Sequence, residues 1–192
     1  MKRHGARTFF GAGAVVLTVA YPFAVYFLMG RGGVRYAGLA LLAILAMRIL
    51  TPNPRRGQML GMLAAGALFA VAIVVTSNET LARLYPVAVN ATLLATFGYS
   101  LLHPPAVLER LVRATGVELD DSARLYLRKL TAVWCVFFFL NGAIALATAL
   151  LGTREVWVIY NGLVSYLIAG SIFLGEKLVR QWVLSRPARN AG

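Results

Sequence analysis

Acidic residues are scarce. The 192-residue chain has 7 Asp+Glu against 19 Lys+Arg, and only 14% of its residues are charged. A water-soluble domain carries about 25% charged residues. With 59% hydrophobic residues, this chain folded in water cannot cover its apolar surface with polar groups. Cysteine is represented once, by Cys135, which excludes an intrachain disulfide and a cysteine metal motif. The two histidines, His4 and His103, are too few for a histidine metal cluster. The chain has no Gly-x-Ser-x-Gly elbow, no P-loop and no dinucleotide fingerprint. Cys135 lies in an apolar run with no histidine beside it, where a thiol stays protonated and inert. The expectation is a non-enzymatic protein without catalytic residues, metal or cofactor.

Long apolar runs are what the chain has in abundance, and mean hydropathy is +0.72. A spanning helix needs about 20 mostly apolar residues. Six runs qualify or nearly so, at about 8–30, 34–50, 59–76, 81–102, 130–151 and 156–174. They are continuously apolar rather than alternating, which favours helices over a barrel. The first run is too long for a signal-peptide core of about 7–15 residues. Short connections such as Arg31-Gly32-Gly33 and Ser77-Asn78-Glu79 make successive helices antiparallel neighbours. The expected fold is a single all-α membrane domain over 1–192, a bundle of six antiparallel transmembrane helices.

Charge placement sets the orientation. The net charge of +12 does not point to nucleic acid, because the cations sit between apolar runs as membrane loops require. With a cytoplasmic N-terminus, fifteen of the 19 basic residues fall inside and four, Arg31, Arg35, Arg83 and Arg154, fall outside. This bias predicts a multi-pass inner-membrane protein with both termini in the cytoplasm.

The one long loop runs from His103 to Lys129. Pro104-Pro105 suits a helix start. Val107, Leu108, Leu111 and Val112 then share one face, with Glu109, Arg110 and Arg113 on the other, and Gly116 placed to end the helix. The reading is a short cytoplasmic amphipathic helix at the membrane surface. Asp121 or Ser122 is placed to cap the next helix. Arg110, Arg113, Arg124, Arg128 and Lys129 make a basic cytoplasmic surface suited to membrane lipids and to acidic partners such as acyl carrier protein. The Asp120-Asp121 step lacks further hard ligands, so no metal site is expected there.

A polar residue at membrane depth is costly and marks a candidate site. No span has a carboxylate, Lys or Arg near its centre; Arg48, Arg83 and Glu176 lie near ends, where long chains snorkel. Asn90 and Asn141 fall near the midplane, and Asn161 closer to the outer side. Two readings stay open. Either the asparagines are helix–helix glue, or they form an intramembrane polar pocket with Tyr85, Tyr99, Tyr160, Ser165 and Tyr166.

Four stretches carry a resemblance: Leu84–Asn90, Phe97–Leu102, Trp134–Gly142 and Trp157–Tyr166. Over about 76–180 the chain resembles a family of small bacterial inner-membrane proteins encoded beside acyl carrier protein and acyl-ligase genes of aryl-polyene-type clusters. More distantly it is similar to the intracellular septation protein A family. The resemblance implies an accessory scaffold or carrier in cell-envelope or acyl-lipid metabolism and supplies no catalytic residue. A small transporter or flippase using the Asn/Tyr pocket, and a septation or envelope-maintenance protein, are the alternatives.

Overall fold

A computed structural model describes residues 23, 26, 27, 33–50 and 56–184. The first expected span, 8–30, therefore lies almost wholly outside the described residues. The described residues are helical, without strands. Eight α-helices follow in order: α1 (Val34–Leu50), α2 (Arg56–Thr76), α3 (Glu79–Arg83), α4 (Tyr85–Leu102), α5 (Val107–Arg113), α6 (Asp121–Leu151), α7 (Arg154–Ile159) and α8 (Ser165–Leu184). A π-helical turn, Tyr160–Val164, joins α7 to α8.

Several boundaries differ from the hydropathy reading. The run at 81–102 is divided at Leu84, because Pro86 opens α4 and proline cannot donate to the turn before it. α6 begins at Asp121 rather than at residue 130. Hydropathy marks only the apolar part. The helix continues outward because Asp120, not Asp121 or Ser122, caps it, accepting the Ala123 N–H at 2.9 Å. At about 1.5 Å per residue α6 is roughly 46 Å long, more than the hydrocarbon core of about 30 Å. α5 starts at Val107 with Ala106 as its cap and ends at Arg113. The prolines thus precede the helix instead of opening it, and Gly116, at φ +84°, lies beyond its end.

α1 and α2 pack as an antiparallel pair. A Cβ on Gly38 would stand 2.9 Å from the Ala70 carbonyl oxygen and 2.6 Å from a Val74 methyl, and one on Gly66 would meet Leu45. Glycine at 38 lets the two backbones approach where no side chain fits. α4 and α6 form the second antiparallel pair. Phe97 meets Phe138 edge to face at 5.1 Å, and Gly142 lies against Asn90. The buried core joins the pairs near one end, through Ala37, Leu41, Ala70, Ile73, Ala82, Ala149 and a fully buried Trp157.

Two helical segments, Asp121–Leu151 and Arg154–Lys177, are long and apolar enough to cross a membrane. Only 22% of the apolar window of each is buried within the protein. A core helix of a water-soluble domain is buried; these present Phe139, Leu151, Leu167 and Phe173 outward.

Candidate functional site

The polar residues of the spans separate into distinct groups. Asn90 on α4, Asn141 on α6 and Tyr160 on the π-turn form one hydrogen-bonded chain. The Tyr160 hydroxyl donates to Asn141 Oδ1 at 2.9 Å, Asn141 Nδ2 donates to Asn90 Oδ1 at 3.1 Å, and Asn90 Nδ2 donates to the Pro86 carbonyl at 2.8 Å. Both asparagines are buried. Each amide oxygen has a donor and each amide nitrogen an acceptor, so the chain is engaged internally.

Asn161 stands apart from it. Its Nδ2 donates to the Trp157 carbonyl at 2.9 Å and to Thr148 Oγ1 at 3.2 Å. The adjacent Tyr160 and Asn161 both reach α6, at Asn141 and Thr148. The π-turn permits this by placing an extra residue in the turn. Ser165 bonds back to the Asn161 carbonyl at 3.2 Å. Tyr85 packs against the core containing Trp157. Tyr166 is partly exposed. Tyr99 is exposed at the far end of α4, its ring stacked on His103 at 4.1 Å. Of the eight residues expected in one polar cluster, Tyr99 thus lies away from the Asn90–Asn141–Tyr160 chain, and Asn161 bonds to Trp157 and Thr148.

Arg83, near the start of its run, is bonded to protein groups at that end. Its Nη2 donates to the carbonyls of Thr148 (2.6 Å) and Gly152 (2.7 Å) at the C-terminal end of α6. The Thr148 carbonyl also accepts the Gly152 N–H at 3.2 Å, and a cation at this end meets the negative end of the helix dipole. Trp157 donates its indole N–H to the Arg83 carbonyl at 3.0 Å. Glu79 pairs with Arg154 through two bonds, of 2.5 and 2.7 Å, and Arg35 reaches Ser77 at 2.8 Å. Three of the four arginines counted as outer thus meet at one end. The signal for Arg83 was in the sequence: a cation inside an apolar run needs a partner.

The basic loop occupies the opposite end. Arg110, half-buried, donates to the Pro105 carbonyl at 2.7 Å and to the His103 carbonyl at 3.0 Å, across a cis Pro104-Pro105 bond. Glu109 is buried, paired with Arg113 at 2.6 Å, with Arg124 3.9 Å away. Leu111 is 59% exposed. Glu109, on the polar face of α5, is thus turned inward to its arginines, and Leu111, on the apolar face, is exposed. Ser100 fixes the helix start, accepting the Val107 N–H at 3.0 Å.

Two clefts flank α5. One, of about 230 Å³, is lined by Ser100, Pro104, Ala106, Glu109, Arg124, Leu125 and Arg128. Arg128 also donates to the Leu101 carbonyl at 3.2 Å. The other, of about 390 Å³, is lined by Phe97, Leu108, Leu111, Val112, Leu127, Leu130, Trp134, Phe138, Phe173 and Glu176. Of the five basic residues expected to act together, Arg124 and Arg128 line the polar cleft, Arg110 and Arg113 hold the loop, and Lys129 is exposed nearby. Asp120 stays ionised more readily than an ordinary carboxylate, because the Ala123 N–H and the Ser122 hydroxyl bind its charged form. No family model, curated protein or solved structure matches this chain, so the chemistry of the clefts carries the functional reading.

Proposed function

We propose that the chain is a non-enzymatic, six-span inner-membrane accessory protein with both termini in the cytoplasm. Its role is to scaffold or carry in cell-envelope or acyl-lipid metabolism, with acidic proteins such as acyl carrier protein recruited to the α5 loop. The supporting observation is a division of labour among polar groups. Asn90, Asn141 and Tyr160 are bonded to one another inside the bundle, whereas the two clefts open around α5 beside Arg124 and Arg128. A transport pocket needs intramembrane polar groups free to meet a solute, so the engaged asparagines favour the scaffold over the transporter. The largely outward apolar surface of α6 and of the Arg154–Lys177 segment supports a lipid environment.

The test uses full-length protein in nanodiscs and purified acyl carrier protein. Arg124→Gln with Arg128→Gln removes the cleft cations and leaves Arg110 and Arg113 in their loop contacts. Capture falls several-fold in the double variant, and falls in the parent protein when salt shortens the Debye length from about 10 Å at 0.1 M to about 3 Å at 1 M. Capture indifferent to both changes refutes recruitment through these arginines.

A further inference from the structure

Arg128 brings to the polar cleft beside α5 a positive charge that no carboxylate balances. The chain has 7 Asp+Glu, all among the described residues, and none of them pairs with Arg128. The other arginines around α5 are engaged. Arg113 pairs with Glu109 at 2.6 Å and Arg124 with Asp121 at 3.2 Å, while Arg110 donates from Nε and Nη2 to two loop carbonyls. Arg128 gives one bond, from Nη2 to the Leu101 carbonyl at 3.2 Å. That bond anchors the guanidinium to the last turn of α4. It leaves Nε and Nη1 without a protein partner among the described residues. The cleft of about 230 Å³ that Arg128 lines is walled also by Arg124, one helical turn earlier, and by Glu109. Glu109 is buried, with Arg113 beside it and Arg124 at 3.9 Å. Arg113, Arg124 and Arg128 against Glu109 and Asp121 leave one positive charge at the cleft. The Ser100 hydroxyl in the same wall is already used, accepting from Val107 and donating to the Phe97 carbonyl.

We propose that this cleft binds a phosphate group, with Arg128 as its principal ligand and Arg124 as the second cation. A guanidinium presents a planar fork of N–H donors that matches two oxygens of a phosphate. A metal cation is repelled by the arginines, and an apolar ligand leaves the fork unpaired. The depth of the cleft agrees with a phosphate. Leu101 lies in the last turn of α4, and Arg128 lies just before the apolar part of α6, so the cleft sits where the spans leave the hydrocarbon core and lipid headgroups begin. Leu125, 56% exposed, borders it on the lipid side of that boundary. A phospholipid headgroup and free phosphate present the same oxygens to Arg128. The inference rests on the membrane reading of the chain and not on recruitment of a carrier protein.

The experiment uses full-length protein in a neutral detergent, with no carrier protein present, and measures binding of a short-chain phosphatidylglycerol, of the diacylglycerol with the same chains, and of inorganic phosphate. The phosphatidylglycerol binds and the diacylglycerol does not. Arg128→Gln weakens binding several-fold, and Arg128→Lys, which keeps the charge and loses the fork, weakens it less. Lys129→Gln removes the same charge outside the cleft and leaves binding unchanged. Lipid that stays bound in excess inorganic phosphate identifies a headgroup as the occupant, and lipid displaced by it identifies free phosphate. Equal losses in Arg128→Gln and Lys129→Gln, or equal binding of the two lipids, overturn the proposal. Should the Arg128 variants fail to fold, solid-state NMR of the parent protein with ¹⁵N-arginine in phosphatidylglycerol liposomes reads the contact directly, as dephasing of an arginine side chain by phosphorus; no dephased arginine overturns the proposal. Carrier-protein capture is measured separately, so either reading fails without the other.

Discussion

Trp157 donates its indole N–H to the carbonyl oxygen of Arg83 at 3.0 Å, while the side chain of Arg83 reaches the carbonyls of Thr148 and Gly152. The residue is held by its backbone and holds by its side chain. Together the two contacts tie the break between α3 and α4 to the turn between α6 and α7. Trp157 is fully buried, so its bond is made in a medium where an unpaired partner is costly.

The clamp predicts an order of effects. Trp157→Phe keeps an aromatic ring and leaves the Arg83 carbonyl without its indole donor, at a cost of about 1–3 kcal/mol. Arg83→Leu removes bonds made by a charged donor and exposes a helix end, and destabilises more. Thermal unfolding in detergent, followed by dye labelling of the single Cys135, reports both. Midpoints equal to that of the parent protein would remove the clamp from the account of stability.

The Asn90–Asn141 bond is a second determinant. Interhelical bonds of this kind contribute roughly 0.6–2 kcal/mol. Asn90→Leu breaks it and leaves Asn141 still bonded to Tyr160. A double-mutant cycle with Asn141→Leu isolates the pair, and its coupling energy falls within that range. A coupling near zero means that the two side chains are neighbours without mutual stabilisation.

Close approach of α1 and α2 depends on position 38. A Cβ there is already under 3 Å from the Ala70 carbonyl oxygen, and a backbone atom cannot turn away as a side-chain tip does. Gly38→Val forces the helices apart, with an overpacking cost of about 1–3 kcal/mol. A disulfide engineered between the two helices measures the displacement, forming more slowly in the variant. An unchanged rate shows that the pair tolerates the added side chain.

Hydropathy made the helical class and most of the elements legible in the sequence. The second run, 34–50, coincides with α1. What it missed has a common cause: hydropathy sums single residues, whereas the discrepancies are pairings. Glu109 turns inward because Arg113 and Arg124 meet it there. α6 passes through polar residues because Asp120 supplies its first bonds. The asparagines were singled out by their cost in a membrane, yet only neighbouring helices decide that Asn161 belongs with Thr148 and Trp157 rather than with Asn90. Arg83 was read by its distance from the run's end, and the carbonyls it binds lie 65 and 69 residues away.

Asp120 makes the start of α6 pH-sensitive. The Ala123 N–H and the Ser122 hydroxyl bind its ionised carboxyl and hold it below the usual carboxylate range. The folded value is below the unfolded value of about 3.9, so the cap's contribution is complete above that pH and disappears as pH falls through the folded value. Amide exchange at 121–124 therefore accelerates in acid relative to the middle of α6. Asp120→Asn retains a capping oxygen and loses the pH dependence; Asp120→Ala exchanges fast at every pH. Identical acid profiles for the parent protein and Asp120→Asn would assign the sensitivity to another group.

Topology is the prediction on which the proposed function depends. Arg35, Arg83 and Arg154 meet at one end through contacts with Ser77, Thr148, Gly152 and Glu79. The α5 loop, with Arg110, Arg113, Arg124 and Arg128, lies at the other end of α4 and α6. Short loops rich in Lys and Arg are retained in the cytoplasm, which puts the loop inside and the Arg83 end outside. Reporter fusions within 105–116 and after residue 192 both give cytoplasmic activity, and a fusion at the Gly152–Thr153 turn gives periplasmic activity. Exchanging Arg124, Arg128 and Lys129 for glutamine weakens the bias at the nearest loop without altering the hydrophobic spans. A periplasmic signal from the α5 loop would place its arginines where no cytoplasmic carrier protein reaches them, and recruitment there would have to be abandoned together with the orientation.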